Sequence, residues 1–281
     1  RSNFKTLSNF LNARKKCLKI IKEFNPDIVV GCGGYVTAPV IWASHKLGKK
    51  TFIHEQNSIP GKSNLMLQSK ADLIGVSFKD SAVKFTKPKG EVFYSGNPCG
   101  ESALAAEPMD KTKLGLSKDK KLVVIVAGSL GSATVNAKMA EYLEKASKED
   151  YEVLYITGKA LYGEFIKDKK FADNVKVVPY VDGLPSLLKN TDLIVTRAGA
   201  STMSEILSLN LPAIFIPSPY VANNHQYYNA MEIKNNGGGE VIEEKDLTSD
   251  TLISIINEVL NNSEKYKKIK TNLKKMSMNN G

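Results

Sequence analysis

The sequence predicts an α/β protein built from two doubly wound, parallel-sheet domains. Three observations carry that prediction: short runs that are apolar throughout, amphipathic stretches between them, and one break in the alternation near residue 97. Strands without polar alternation, separated by helices, belong to parallel sheets covered on both faces. The chain has 281 residues, 42% hydrophobic and 24% charged. That is ordinary globular composition, which excludes disorder, collagen-like repeats and coiled coil, and at about 100–200 residues per domain it fits two domains.

The elements follow in order. Phe4 to Phe24 reads as a helix with Leu7, Leu11, Leu18 and Ile21 on one face. Asp27 to Val30 reads as a short buried strand ending in Gly31-Cys32-Gly33-Gly34, before a helix from about Ala38 to Leu47. Strands follow at Thr51–His54, Leu73–Val76 and Val92–Tyr94. Gly96-Asn97-Pro98 opens a Pro/Ala-rich stretch through Pro108 that reads as an inter-domain linker, so the domains are drawn as 1–97 and 98–281. The alternation restarts with strands at Leu122–Val126, Val153–Ile156, Val175–Val178, Leu193–Val195 and Ala213–Ile216. Helices fill the gaps, including Ala133–Lys148, Ser201–Leu209 and Gln226–Lys234. The first domain opens on a helix rather than a strand and glycine turn, and reads as incomplete at its start.

Composition also bounds the setting. No apolar run approaches the roughly 20 residues that span a bilayer, and Arg1-Ser2-Asn3-Phe4 does not open a signal peptide. Cys17, Cys32 and Cys99 are scattered, with no CxxC pair, which points to a reducing, cytoplasmic setting without structural zinc or disulfides. The net charge of +10 is unevenly placed: 16 Lys and Arg against 6 Asp and Glu up to Gly100, then 23 against 23. Excess positive charge in the first third suits a negatively charged partner, whether nucleic acid, an acidic substrate or an anionic membrane, or simply a lysine-rich background.

In doubly wound folds, ligands bind beyond the carboxyl ends of the strands. Five segments there carry candidate chemistry. Gly31-Cys32-Gly33-Gly34-Tyr35 would bring backbone amides to an anion at a helix N-terminus; with Glu55 after the next strand it partly matches a dinucleotide fingerprint, although Val36 stands where Gly or Ala is needed. Ala127 to Ser132 is a second glycine loop; it lacks a P-loop lysine and reads as a diphosphate cradle or as a turn capped by Ser129 or Ser132. In Thr196 to Glu205, Thr202 and Glu205 have capping-box spacing, while Glu205 could equally accept hydrogen bonds from a ribose diol. His54 to Gly61 is the densest polar cluster, where a His-Glu pair allows either acid/base chemistry or a satisfied structural pair. Gln226 and Asn229, after His225, could read a polar ligand or cap a helix. Together these loops suit a nucleoside diphosphate conjugate bound by amides and helix dipoles, with no metal.

Several of these residues occur together in one family. Gly33-Gly34-Tyr35-Val36 with Pro39, His54-Glu55-Gln56-Asn57 with Pro60-Gly61, Gly96-Asn97-Pro98, Arg197-Ala198-Gly199-Ala200 with Ser204-Glu205, and Gln226-Tyr227-Tyr228-Asn229-Ala230 appear in this order. From about Phe24 to Val241 the chain closely resembles the MurG-type N-acetylglucosaminyltransferases. The resemblance implies a GT-B fold and an inverting transfer of GlcNAc from UDP-GlcNAc to the C4 hydroxyl of lipid I, undecaprenyl-linked MurNAc-pentapeptide, giving lipid II without a cofactor. It implies donor contacts at Ser129 on the diphosphate, Val181 on uracil through its backbone, Ala200, Ser201, Thr202, Met203, Ser204 and Glu205 around the donor, Gln226 on the sugar, and Asn57. Glu205 would hold the ribose. Gly33, Gly34 and Tyr35 would help cradle the acceptor diphosphate.

The chain departs from the family pattern in places. The first glycine loop, with the histidine commonly proposed as base, would lie before Arg1, and the closing helix would lie after Gly281, so the resemblance assigns no catalytic base here. Ala-Gly-Ser-Leu-Gly-Ser replaces the usual Gly-Gly-Ser-Gln-Gly-Ala, and Cys99-Gly100 stands where many members carry an arginine. The resemblance also gives the basic first domain a partner, the anionic cytoplasmic face of the cell membrane, where the protein would be peripheral. Alternatives are a UDP-sugar-dependent diacylglycerol glycosyltransferase of the same fold, a nicotinamide oxidoreductase, and a basic nucleic-acid module, which lacks a reader signature.

Overall fold

The structure is a computed structural model that describes residues 2–126 and 132–277, with side chains from Asn9 onward. The chain divides into two compact units, Arg1–Asn97 and Pro98–Gly281.

The first unit runs α1 (Ser2–Phe24), β1 (Ile28–Gly31), α2 (Thr37–Lys46), β2 (Lys50–Glu55), α3 (Lys62–Leu67), β3 (Leu73–Val76), a 3-10 turn at Lys79–Lys84 and β4 (Glu91–Tyr94). Its four strands lie parallel in chain order, β1-β2-β3-β4. Val29, Ile53, Ile74 and Val76 form a core with Ile21, Ala38, Ile41 and Leu67 from the helices. Two expectations change here. The packed face of α1 is Phe10, Cys17, Leu18 and Ile21, whereas Leu11 is 47% exposed and the Leu7 side chain lies outside the described residues. In this orientation the Arg14 guanidinium sits 3.1 Å from the centre of the Trp42 ring on α2, a cation–π contact. β1 is an edge strand and not fully buried: Val29 and Gly31 face the core, while Ile28 and Val30 face solvent.

The second unit contains α4 (Pro98–Ala105), a 3-10 turn at Lys111–Leu114, β5 (Leu122–Val126), α5 (Ala133–Ala146), β6 (Glu152–Ile156), α6 (Tyr162–Ile166), β7 (Val175–Val178), α7 (Leu184–Leu188) and β8 (Leu193–Thr196). It continues through α8 (Ala200–Leu209), β9 (Ala213–Phe215), α9 (His225–Asn235), β10 (Gly239–Val241), α10 (Ser249–Asn261) and α11 (Ser263–Met276). All six strands are parallel, in the order β10-β9-β8-β5-β6-β7. Counted from β5, this is the dinucleotide-fold order, and the winding reverses between β5 and β8. β5, β6, β8 and β9 are buried along nearly their whole length, as strands covered on both faces must be. Side chains of Ser132, Thr248 and Asn262 cap α5, α10 and α11.

The expected linker is instead a packed helix. Pro98 stands at the first position of α4, where its missing N–H costs nothing, and α4 lies directly on α8. Gly100 makes that approach possible: a Cβ there would stand 2.2 Å from Ser208 Oγ and 3.2 Å from the Ser204 carbonyl. The small residues that read as a linker serve close helix packing.

Candidate functional site

A pocket of about 670 Å³ opens in the second unit beyond the carboxyl ends of the paired strands β5 and β8. Val126, Ile156 and Thr196, at or near the carboxyl ends of β5, β6 and β8, form its floor. This is the crevice at which parallel α/β sheets bind ligands.

One wall is the first turns of α8. Gly199 is the N-cap, in extended conformation, and its carbonyl accepts from Met203 N at 3.0 Å. Helix formation therefore starts ahead of Thr202, which overturns the capping-box reading: Thr202 lies inside the helix and Glu205 in its second turn. Gly199, Thr202 and Glu205 are three residues apart, so they share a face, and all three line the pocket. The same periodicity turns the rest of the expected set elsewhere. Met203 is fully buried in the core, Ser204 donates to the Ala200 carbonyl at 2.9 Å, and Ala200 and Ser201 are not part of the lining. Among the described residues no side chain pairs with Glu205, and burial pushes its carboxyl above the ordinary carboxylate range.

The opposite wall comes from loops. Gln226, at the start of α9, accepts from Ser218 N at 2.9 Å through Oε1. Its Nε2 then faces the pocket as a donor with no described partner. Val181 is buried at the pocket edge, and its peptide N–H and C=O make no backbone hydrogen bond among the described residues. Ser129 lies outside the described residues. The sequence reading gave no role to Arg197, a further lining residue, or to the partner that holds it. Its guanidinium pairs with buried Glu244 at 2.5 Å, donates to Ser132 Oγ at 2.8 Å and donates to the Ile216 carbonyl at 3.0 Å. It thus ties the cap of α5 to the 3-10 turn after β10, a long-range link that no local spacing signals.

In the first unit the polar loop after β2 is largely self-satisfied. Glu55 is 2% exposed, and its carboxylate accepts from Asn57 N (3.0 Å) and Asn57 Nδ2 (3.3 Å) at one oxygen. The other oxygen accepts from Gly61 N and Asn64 Nδ2, both at 2.8 Å. That leaves no acceptor for a cofactor ribose, which removes the dinucleotide reading of Glu55. His54 does not pair with it, because adjacent strand residues point to opposite faces. Its Nε2–H donates to the Gly96 carbonyl at 2.8 Å, so Nδ1 carries the lone pair that accepts from Gln56 Nε2 at 3.1 Å. With both ring nitrogens engaged, His54 is structural rather than an acid or base. Asn57 is held by Glu55 within this unit. Gly33 and Gly34 have φ of 87° and 78°, the left-handed conformation that favours glycine, and Tyr35 is 86% exposed beside them.

Among the described residues, no group of three or more His, Cys, Asp or Glu side chains could hold a metal ion. No described helix is long and apolar enough to cross a membrane.

Comparison with known proteins places these features in a family. Residues 1–76 match the glycosyltransferase family 28 N-terminal domain, and residues 122–281 its C-terminal domain. The UDP-N-acetylglucosamine--N-acetylmuramyl-(pentapeptide) pyrophosphoryl-undecaprenol N-acetylglucosamine transferase of Bacillus cytotoxicus is 40% identical over 280 residues, 98% of this chain and 76% of that protein. The transferase of the same name from Pediococcus pentosaceus is 37% identical over 277 residues, again 98% and 76%. Among solved structures, MurG of Acinetobacter baumannii superposes with a TM-score of 0.76 at 22% identity, covering 95% of this chain and 74% of that one. The S. aureus MnaA-UDP co-structure superposes at 0.70 and 16% identity, covering 96% and 76%, a likeness of fold. The chain belongs to glycosyltransferase family 28, within its MurG-type N-acetylglucosaminyltransferases.

Proposed function

We propose that this enzyme transfers GlcNAc from UDP-GlcNAc to the C4 hydroxyl of undecaprenyl-diphospho-MurNAc-pentapeptide, lipid I, with inversion, giving lipid II. The observation that carries the donor half is the set of uncommitted polar groups around one pocket: the Glu205 carboxylate, Gln226 Nε2 and the Val181 peptide. Val181 N–H and C=O complement the edge of a uracil. Glu205 accepts from the ribose hydroxyls, and Gln226 donates to the sugar. Ser132, at the N-terminus of α5, puts that helix's positive end toward the diphosphate. Thr202 and Gly199 wall the donor. In the first unit, Gly33, Gly34 and Tyr35 serve the acceptor.

The first unit rests on the anionic cytoplasmic leaflet. It carries the whole charge excess, and α1 exposes Ile20 and Phe24 beside Lys15, Lys16, Lys19 and Lys22. Each basic residue near such a surface is worth about 1 kcal/mol. Flotation with anionic vesicles but not neutral ones is expected; equal retention on both would remove this part.

Calorimetric titration in EDTA tests the donor reading. Preference for UDP-GlcNAc over UDP-glucose and no heat with NAD are expected. Preference for UDP-glucose would move the assignment to glycolipid synthesis.

A further inference from the structure

We propose that Gln56 and Asn64 form an acceptor-sugar subsite beside Gly33, in which their two amide oxygens take one hydrogen-bond donor of the substrate, an acetamido N–H or a hydroxyl. The inference rests on the transferase reading above and names the group that this part of the first unit recognises.

The chemistry of the neighbours fixes the orientation of both amides. The Asn64 NH2 group donates to the His54 carbonyl at 3.2 Å and to Glu55 Oε2 at 2.8 Å. The Gln56 NH2 group donates to the same His54 carbonyl at 3.2 Å and to His54 Nδ1 at 3.1 Å. All these partners are acceptors, so turning either amide over would set oxygen against oxygen, or oxygen against a nitrogen lone pair. Both oxygens must therefore point away from the His54–Glu55 network. Asn64 is 1% exposed, and its Oδ1 is buried without a hydrogen-bond partner. Gln56 Oε1 likewise accepts from no described residue.

Both oxygens lie beside Gly33: each is 4.0 Å from the point a Cβ would occupy there, and Asn64 Nδ2, already committed as a donor to the His54–Glu55 network, is at 3.6 Å. Gly33 is left-handed, so glycine is the residue that both adopts this backbone and keeps that point clear. Next to it, Gly34 has no atom within 4 Å of its own Cβ position, which leaves the approach open. Buried amide oxygens without donors are uncommon, and they discriminate strongly for a ligand that supplies one. A phosphate oxygen placed here would face two partial negative charges. This side of the glycine loop therefore suits a neutral O–H or N–H of the sugar, and an anion is confined to the loop's amide groups.

The test compares acceptors with the full chain at saturating UDP-GlcNAc. The parent is a short-prenyl diphospho-MurNAc-pentapeptide. One analogue replaces the acetamido N–H by an ester oxygen, and the other lacks the C6 hydroxyl. One of the two should lose about three- to tenfold in kcat/KM, the worth of a neutral hydrogen bond. Gln56→Met should impose a similar loss on the parent and little further loss on that analogue, with KM for UDP-GlcNAc unchanged. Indifference of the wild-type chain to both analogues would overturn the proposal without any variant. So would a Gln56→Met loss that is independent of which acceptor is used, or one that falls on the donor. Absence of any turnover of the parent would instead remove the transferase reading on which the subsite rests.

Discussion

Glu55 and Glu205 are both largely buried carboxylates in parallel α/β units, and they differ in what surrounds them. Glu55 receives four donors, three from the loop that follows it and one from Asn64 on α3, so its charge holds Asn57, Gly61 and Asn64 in place. Glu205 receives none from the described residues, and burial raises its pKa. A carboxylate matched by its own chain builds structure. One desolvated without a partner is a candidate for binding a ligand. The contrast separates scaffold from site more sharply than proximity to a glycine loop does.

The largest expected effect falls on the scaffold side. Glu55→Ala orphans the Gly61 and Asn57 amides and the Asn64 side chain, and chemical denaturation should show a loss of about 4 kcal/mol. Glu244→Ala should come next, at about 3 kcal/mol, because it leaves the mostly buried Arg197 guanidinium without its counter-charge. If Glu244→Ala is neutral, the ion pair does not organise the pocket wall.

The site side predicts smaller changes in stability and larger ones in binding. The Glu205 pKa is raised in the folded state, so the ionised form carries a penalty that is fully present above that pKa. Stability should rise as pH falls through it toward the ordinary carboxylate range, while affinity for UDP falls as the acceptor is protonated. Glu205→Gln should flatten both profiles, read by thermal melts and titration across pH. Gln226→Glu should have the smallest effect. It keeps the acceptor for Ser218 N and replaces only the donor that faces the pocket, so UDP-GlcNAc should weaken about tenfold while UDP itself is little changed.

The sequence made much of this legible, for identifiable reasons. Leu122–Val126 stands as a strand at the predicted bounds, because a fully covered parallel strand declares itself by uninterrupted apolar residues; Val175–Val178 also keeps its predicted bounds, although it is an edge strand interrupted by Lys176. The Pro98–Ala105 helix was hidden because a helix packed through Gly100 and Ala103 looks, in composition, like a linker. Thr202 and Glu205 suggested a cap because spacing does not say where the helix starts; Gly199 and Ala200 moved that start forward. α10 was overlooked although Thr248 caps it through Thr251 N, a signal of the usual kind. The Arg197–Glu244 pair and the outward oxygens of Gln56 and Asn64 were out of reach, since both depend on groups that only folding brings together.

The central claim is that Glu205 is kept unpaired in order to receive a ribose. Titrating UDP and 3′-deoxy-UDP against the wild type and Glu205→Ala tests it most directly. The wild type should prefer UDP by about tenfold, and the variant should bind both equally, with its melting midpoint unchanged or raised. A variant that still prefers UDP, or one that binds normally but melts early, would show that Glu205 belongs to the scaffold after all.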